Sequence, residues 1–405
     1  MLAPIIRFKA FSDEYKESPL SDYLTENKER NRDNKYSKQD VKSVSGDLGV
    51  VSQIELFGKS MAGANISNYH VINHNDIVYT KSPLKANPYG IIKCNTGTAG
   101  IVSTLYAVYY CNNNVVPEYI DYYFGYDCRV NKYLLPLVNI GAKHDMKVNN
   151  QDAISGSVVF PDIKEQECVV NALRTYDEKI RNQLAFLDAL ETRRKGLLQK
   201  IFSQEIRFKT DDGKDYSDWE DTMLSDILTE RKLKSTGNEE VYSVSVAKGL
   251  VNQIEHLGRS YAAEDTSKYK VVKPGDIVYT KSPTGEFKWG IVKQSKIDKD
   301  VIVSPLYGIF IPKSYAFGFI LDAFFSSNIR AHNYLITQIR KGAKNTINIT
   351  NDVFLAKEIY LPTSEEEALK IQNFIELLDK QILVEKEKLE SIKLVKKGLL
   401  QQMFI

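Results

Sequence analysis

The heptapeptide IVYTKSP at Ile77–Pro83 returns unchanged at Ile277–Pro283, and around it 26 of 53 positions are identical without a gap between residues 41–93 and 241–293. The match extends outward on both sides. IRFK at Ile6–Lys9 recurs at Ile206–Lys209, and LSDYLTE at Leu20–Glu26 recurs as LSDILTE at Leu224–Glu230. GAK at Gly141–Lys143 recurs at Gly342–Lys344, and KGLLQ at Lys195–Gln199 recurs at Lys397–Gln401. The chain is therefore a tandem duplication. A period near 200 residues is too long for a solenoid, whose units cannot stand alone, so each copy is a domain with its own core. Two such copies imply a pseudo-twofold relation between them.

Within a copy, the first 160 residues are rich in Val, Ile and Tyr punctuated by turn residues. DIVYTKSP alternates into a turn, and VSTLYAVYY and VSPLYGIFI are short apolar runs of strand character. The end of each copy is different. From Lys164 to Phe202 and from Ser364 to Phe404 there is no proline and a single glycine each, with apolar residues at helical spacing. Leu173, Ile180, Leu187, Arg194 and Ile201 share one heptad position and Tyr176, Gln183, Leu190 and Leu197 the other. In the second helix Ile375, Ile382, Leu389, Lys396 and Met403 take the first position, and Leu378, Glu385, Ile392 and Leu399 the second.

The polar breaks coincide, Gln183 with Glu385 and Arg194 with Lys396. An antiparallel pair in which first positions face second ones would join Arg194 to Glu385 and Gln183 to Lys396. The seam would then include Leu187, Leu190, Leu197, Leu389, Ile392 and Leu399. The other reading leaves these polar residues as solvated edges of ordinary amphipathic helices. Each helix would be roughly 58 Å long at 1.5 Å per residue, and the pair would form a rigid spacer between two inverted domains.

The 405 residues are 43% hydrophobic and 26% charged, which excludes a disordered or collagen-like chain. No apolar run approaches the roughly 20 residues of a membrane span, and the start lacks the layout of a signal peptide. A cytoplasmic location without membrane contact is expected. Cys94, Cys111, Cys128 and Cys168 form no CxxC pair, so neither zinc nor a disulfide framework is indicated.

The net charge of +2 conceals local bias. Residues 241–352 carry 15 Lys and Arg against 9 acidic residues, and residues 41–150 carry 9 against 7. Lys81, Lys85 and Tyr89 follow one copy of the shared strand, and Lys281, Lys288 and Trp289 follow the other. This mixture of cations and aromatics suits a loop facing nucleic acid. A solvated hairpin tip with Tyr89 and Trp289 tucked into the core is the alternative. A second candidate loop combines glycine with Lys143 and Lys147 in one copy. In the other it has Arg340, Lys341, Lys344 and Asn345.

Catalytic patterns fail on inspection. Gly58-Lys59-Ser60 resembles the end of a phosphate loop, but Gln53 stands where the leading glycine belongs and Arg259 replaces the lysine. Asn87-Pro88-Tyr89 lacks a proline of the methyltransferase element it resembles and follows no glycine-rich turn. His70 and His74 have helical metal spacing, but they lie among turn residues and correspond to Lys270 and Pro274. No metal site and no active site is expected.

Five features together carry a family likeness. They are IRFK before an acidic stretch with Trp219, the helix motif at Leu224–Leu228, GDIVYTKSP, the Leu361-Pro362 step before an acidic helix start, and the closing KKGLLQQMF. The sequence resembles the specificity subunit of type I restriction-modification systems over essentially its whole length. The first copy departs in having Tyr15 for the tryptophan and Phe160-Pro161 for Leu-Pro.

The resemblance implies an α+β chain in which two pseudo-twofold-related α/β target-recognition domains are joined by two long antiparallel coiled-coil helices. The domains would be residues 1–160 and 205–361, and the helical spacers residues 161–204 and 362–405. It also implies double-stranded DNA as the partner, read as a split asymmetric site with half-sites about one turn, ~34 Å, apart. Two methyltransferase subunits and restriction subunits would dock on the chain. S-adenosylmethionine, ATP and Mg would bind those partners, and the chain itself would be non-catalytic. A coiled-coil adaptor that does not read DNA is the competing expectation, and a self-contained DNA methyltransferase the third.

Overall fold

A computed structural model of the chain describes residues 3–140, 146–259, 265–338, 340–341 and 347–405. The fold is mixed helix and strand, in two compact units. One comprises residues 1–186 and 385–405, the other residues 187–384. Each unit therefore holds the first part of one long helix and the last part of the other. The central helix is Ile163–Phe202 and the C-terminal helix Glu365–Gln402.

In the first unit a four-stranded antiparallel sheet runs in the order Leu24–Glu26, Tyr106–Cys111, Ile77–Thr80, Ile92–Cys94. The repeated heptapeptide supplies its third strand, and strand alternation divides that strand between two cores. Ile77 and Tyr79 face a core shared with the helices Pro117–Phe124 and Asp127–Leu134. Val78 faces a smaller cluster with Ile72, Val102 and Val108. Two further strand pairs flank it, Lys42–Ser45 with Gly49–Ser52 and His70–Ile72 with Gly100–Val102.

The second unit repeats this order. Its sheet is Leu228–Glu230, Gly308–Pro312, Ile277–Tyr279, Val292–Gln294, with Ile277 and Tyr279 in one core and Val278 in the other. The helices Tyr315–Phe325 and Asn328–Leu335 stand where Pro117–Phe124 and Asp127–Leu134 stand in the first unit. Gly58 and Gly258 each close a short helix in the left-handed conformation, at φ 71° and 72°. The glycine of the GKS motif is thus a helix cap.

The long helices are knitted into these cores. Val169, Val170 and Leu173 from the start of the central helix join Met403 and Phe404 in the first unit. In the second, Leu198 and Ile201 join Ala368, Ile371 and Ile375. The repeated IRFK is a pin onto the first turn of a long helix. Arg7 makes two hydrogen bonds of 2.8 Å to Glu165, and Arg207 makes bonds of 3.0 and 3.2 Å to Glu367. Tyr15, which replaces the tryptophan in the first copy, adds a hydroxyl bond of 3.0 Å to Glu165.

The expected polar register of the helix pair is corrected. Gln183 donates to the Glu385 carboxylate at 2.6 Å and to its carbonyl at 3.1 Å, rather than meeting Lys396. Arg194 pairs with Asp379 instead of Glu385, and Lys396 with Asp177. A heptad seam stays matched when one helix slides along the other, so it fixes which faces meet and leaves the axial offset open. The ion pairs that set the offset involve Asp177 and Asp379, which lie outside the seam positions. The two pairs are one pair read in two copies, since Asp177 corresponds to Asp379 and Arg194 to Lys396.

Candidate nucleic-acid interface

In both copies the loop after the shared strand is folded back tightly on it. Gly90 and Gly290 have φ of 89° and 90°. A Cβ at Gly90 would fall 1.9 Å from the Thr80 carbonyl oxygen, and one at Gly290 would fall 2.9 Å from the Lys281 nitrogen, so only glycine fits. The strand tyrosine ties the loop down from inside. Tyr79 donates to the Tyr89 carbonyl, and Tyr279 to the Trp289 carbonyl, both at 2.7 Å. The tips match as well, with paired backbone bonds between Leu84 and Asn87 and between Thr284 and Phe287. One backbone thus displays two different sets of side chains.

Tyr89 and Trp289 are half-buried and pack against the main core of their unit. The Trp289 indole N–H is taken by His332 at 2.9 Å. Lys85 is exposed at its tip, and Lys288 is exposed one residue past its tip. Lys81 and Lys281 are half-buried. Lys81 donates to Asn150, which in turn donates to Glu26 at 2.6 Å; Asn351 donates to Glu230 at 2.5 Å in the other unit.

Burial lowers the Lys81 pKa below its ordinary value against the opposing pull of Glu26. Burial and then the neighbouring Lys270 lower that of Lys281, against the pull of Glu230. At Glu26 burial pushes the carboxyl up, but the bonds from Asn150 and Gln151 outweigh it and its pKa lies below the usual range. These lysines and carboxylates form a polar floor at the strand ends from which the loops leave.

Lys147 lies on the strand Met146–Lys147, paired with Asn139–Ile140. Arg340 and Lys341 lie on a strand paired with Ile347–Asn348. Each second loop is thus bracketed by a short antiparallel strand pair. Lys143, Lys344 and Asn345 lie outside the described residues. On the helices Leu187, Leu190 and Leu389 are buried, while Leu197, Ile392 and Leu399 are half-buried.

The sequence reading passed over Glu26 and Glu230, and over Lys28 and Lys232, which are exposed in both copies. Their signal was present in the repeated LTExK. It passed over Asp177 and Asp379 as well, which no heptad pattern marks.

Among the described residues no group of three or more His, Cys, Asp or Glu is placed to hold a metal ion, and no helix is long and apolar enough to cross a membrane. His70 is buried on a strand with Arg30 against its ring, and His74 is at 3.1 Å from the Gly97 carbonyl, so the two share no site. What the loops offer is a set of cations and hydrogen-bonding groups on a fixed backbone, suited to binding a polyanion.

A twice-repeated mixed unit sharing two long helices defines a class of fold, and solved structures share it. One is a chain from a structure of complex assembly and conformational transition in a type I R-M system. It is 13% identical with a TM-score of 0.54, over 97% of this chain and 98% of that one. Another is the S subunit of a type I restriction-modification system from M. genitalium. It is 10% identical with a TM-score of 0.53, over 100% of this chain and 99% of that one. No protein-family model and no curated protein sequence matches the chain. The chain has the fold of type I restriction-modification S subunits.

Proposed function

We propose that this chain is the DNA-specificity subunit of a type I restriction-modification complex. Residues 1–160 and 205–361 act as target-recognition domains, each reading one half of a split, asymmetric site in double-stranded DNA. Residues 161–204 and 362–405 act as helical spacers that set the gap. The observation that carries this reading is the loop at 81–90 and 281–290. Its backbone is held by the same glycine and tyrosine in both units, while its exposed residues differ. One scaffold presenting two side-chain sets is what reading two different half-sites requires.

The helices serve as the dock for two adenine methyltransferase subunits, and restriction subunits join them. Exposed apolar side chains on the C-terminal helix support a docking role: Leu377 at 68% and Leu383 at 56% in one unit, Leu394 at 70% in the other. Partners supply base flipping and methyl transfer. They bind S-adenosylmethionine, ATP and Mg, and the chain contributes address and geometry without catalysis.

The test is long-read detection of N6-methyladenine across the genome of the source cell, with and without this gene. Loss of one split motif on deletion is the expected result. An unchanged methylation pattern would sink the proposal.

A further inference from the structure

Leu105 is 64% exposed and Leu306 72% exposed. They occupy the same place in the two units, each in a Ser-x-Leu-Tyr turn, at Ser103–Tyr106 and Ser304–Tyr307. The turns are held alike. Leu105 N–H reaches the Ser103 hydroxyl oxygen at 3.3 Å and Tyr106 N–H the Ser103 carbonyl at 3.0 Å. The corresponding distances around Ser304 are 3.3 and 3.1 Å.

The tyrosine that follows is anchored in both units, Tyr106 against the cluster of Ile72, Val78, Val102 and Val108 and Tyr307 against the matching cluster around Val272, Val278 and Val303. Lys270 also donates to the Tyr307 carbonyl at 2.6 Å. Each leucine is therefore presented outward on a fixed turn. A lone exposed leucine is ordinary. The same leucine on the same fixed turn is not, in copies that agree at only 26 of 53 positions over the best-matched stretch.

Its neighbours are cationic in both units. The ladder pairs Thr80 with Tyr106 and Tyr279 with Gly308, so Lys81 and Lys281 leave the neighbouring strand at the same end of the sheet as Leu105 and Leu306. On the other side the Asn27 and Arg231 N–H groups bond the Val108 and Ile309 carbonyls at 2.8 Å, and the exposed Lys28 and Lys232 follow them at the same end of the sheet. Lysines from both neighbouring strands thus leave each sheet at the end that carries the leucine. The loop with the exposed Lys85 or Lys288 springs from the same end.

We propose that Leu105 and Leu306 are base-reading residues, one per unit, which press on base edges of duplex DNA while the flanking lysines meet its phosphates. The proposal rests on the DNA-recognition reading above. Lysines on both sides of the sheet end that carries one apolar tip match a surface with phosphates on both sides of a groove, whereas an apolar protein groove would bring no anion to them. The thymine methyl is the apolar group that base edges offer in the major groove. The position each leucine reads is therefore an A·T pair.

The test introduces Leu105→Asn and Leu306→Asn, and Leu→Met at each position, into the gene in the source cell with its partner subunits. N6-methyladenine is then mapped by long-read sequencing, and melting temperatures of the purified full chains verify folding. Each Asn variant should relax one A·T position in one half of the motif, about tenfold in preference, and the two variants should affect different halves. The Met variants should keep the motif. If the wild-type gene writes a split motif and both Asn variants write it unchanged, the proposal is overturned and the DNA-recognition reading stands. Uniform loss of methylation with the motif intact would make the leucines a protein-docking point and also overturn it. If the wild-type gene writes no motif, the recognition reading fails and takes the proposal with it.

Discussion

Glu165 and Glu367 have side chains only 2% and 1% exposed, in the first turn of the two long helices. A carboxylate there gains from the helix N-terminus, and the forked guanidinium of Arg7 or Arg207 satisfies both its oxygens. Removing only the cation strands a buried charge. Arg207→Met should therefore lower unfolding free energy by about 3 kcal/mol, within the range for breaking a buried pair. Adding Glu367→Leu should recover part of that loss. Urea titration followed by circular dichroism measures both, and a loss under about 1 kcal/mol would show that water reaches the pair. Sequence alone marked IRFK as repeated without giving its partner, because Glu165 lies 158 residues away and no local pattern joins the two. Tyr89 and Trp289 were visible as aromatics in a basic loop. Which way their rings turn depends on Tyr79 and Tyr279 tying the loop inward, a tertiary fact.

The helices were legible in extent because proline is absent and apolar spacing persists, and alternation in DIVYTKSP marked a strand running into a turn, without its place in a sheet. Their axial register was not, since a seven-residue repeat is blind to sliding. The structure places the decision in Arg194 with Asp379 and Lys396 with Asp177. Reversing Arg194→Asp alone should cost about 1 kcal/mol, and adding Asp379→Arg should restore most of it. Strict additivity of the two changes would remove these residues from the account of register. The contact of Gln183 with Glu385 also has a pH dependence. The hydrogen bond from Gln183 holds the Glu385 carboxyl below its ordinary pKa. A depressed folded-state pKa gives stabilisation that is present above the unfolded value and lost as pH falls through the folded one. Gln183→Leu should reduce that acid-side loss. Melting temperatures of the variant and parent, compared from neutral pH into the carboxylate range, should converge as pH falls; a constant gap would contradict the assignment.

For the molecule as a whole, a formal charge of +2 says little about DNA, because acidic and basic regions cancel along the chain. Binding depends on where cations are presented, and the structure separates those at the tips from those on the floor. Lys85 and Lys288 are exposed, whereas Lys81 and Lys281 are half-buried above Glu26 and Glu230. An exposed lysine on a phosphate releases a counterion when it binds, so removing it should flatten the dependence of log affinity on log salt by about 1. Lys85→Ala and Lys288→Ala should each do this, and because they sit in separate units their effects should add in the double variant. Trp289→Ala should act on another axis. It should leave the salt slope alone and destabilise the fold by about 2 kcal/mol, through lost packing and an orphaned His332. Fluorescence anisotropy of a labelled duplex against the full complex, from 50 to 200 mM salt, on the order of the range where such slopes are steep, reads the first effect and thermal melting the second. A slope unaltered in the double lysine variant would move the phosphate contacts off the tips. The lysines at the strand ends, Lys28, Lys81, Lys232 and Lys281, would then supply all of them.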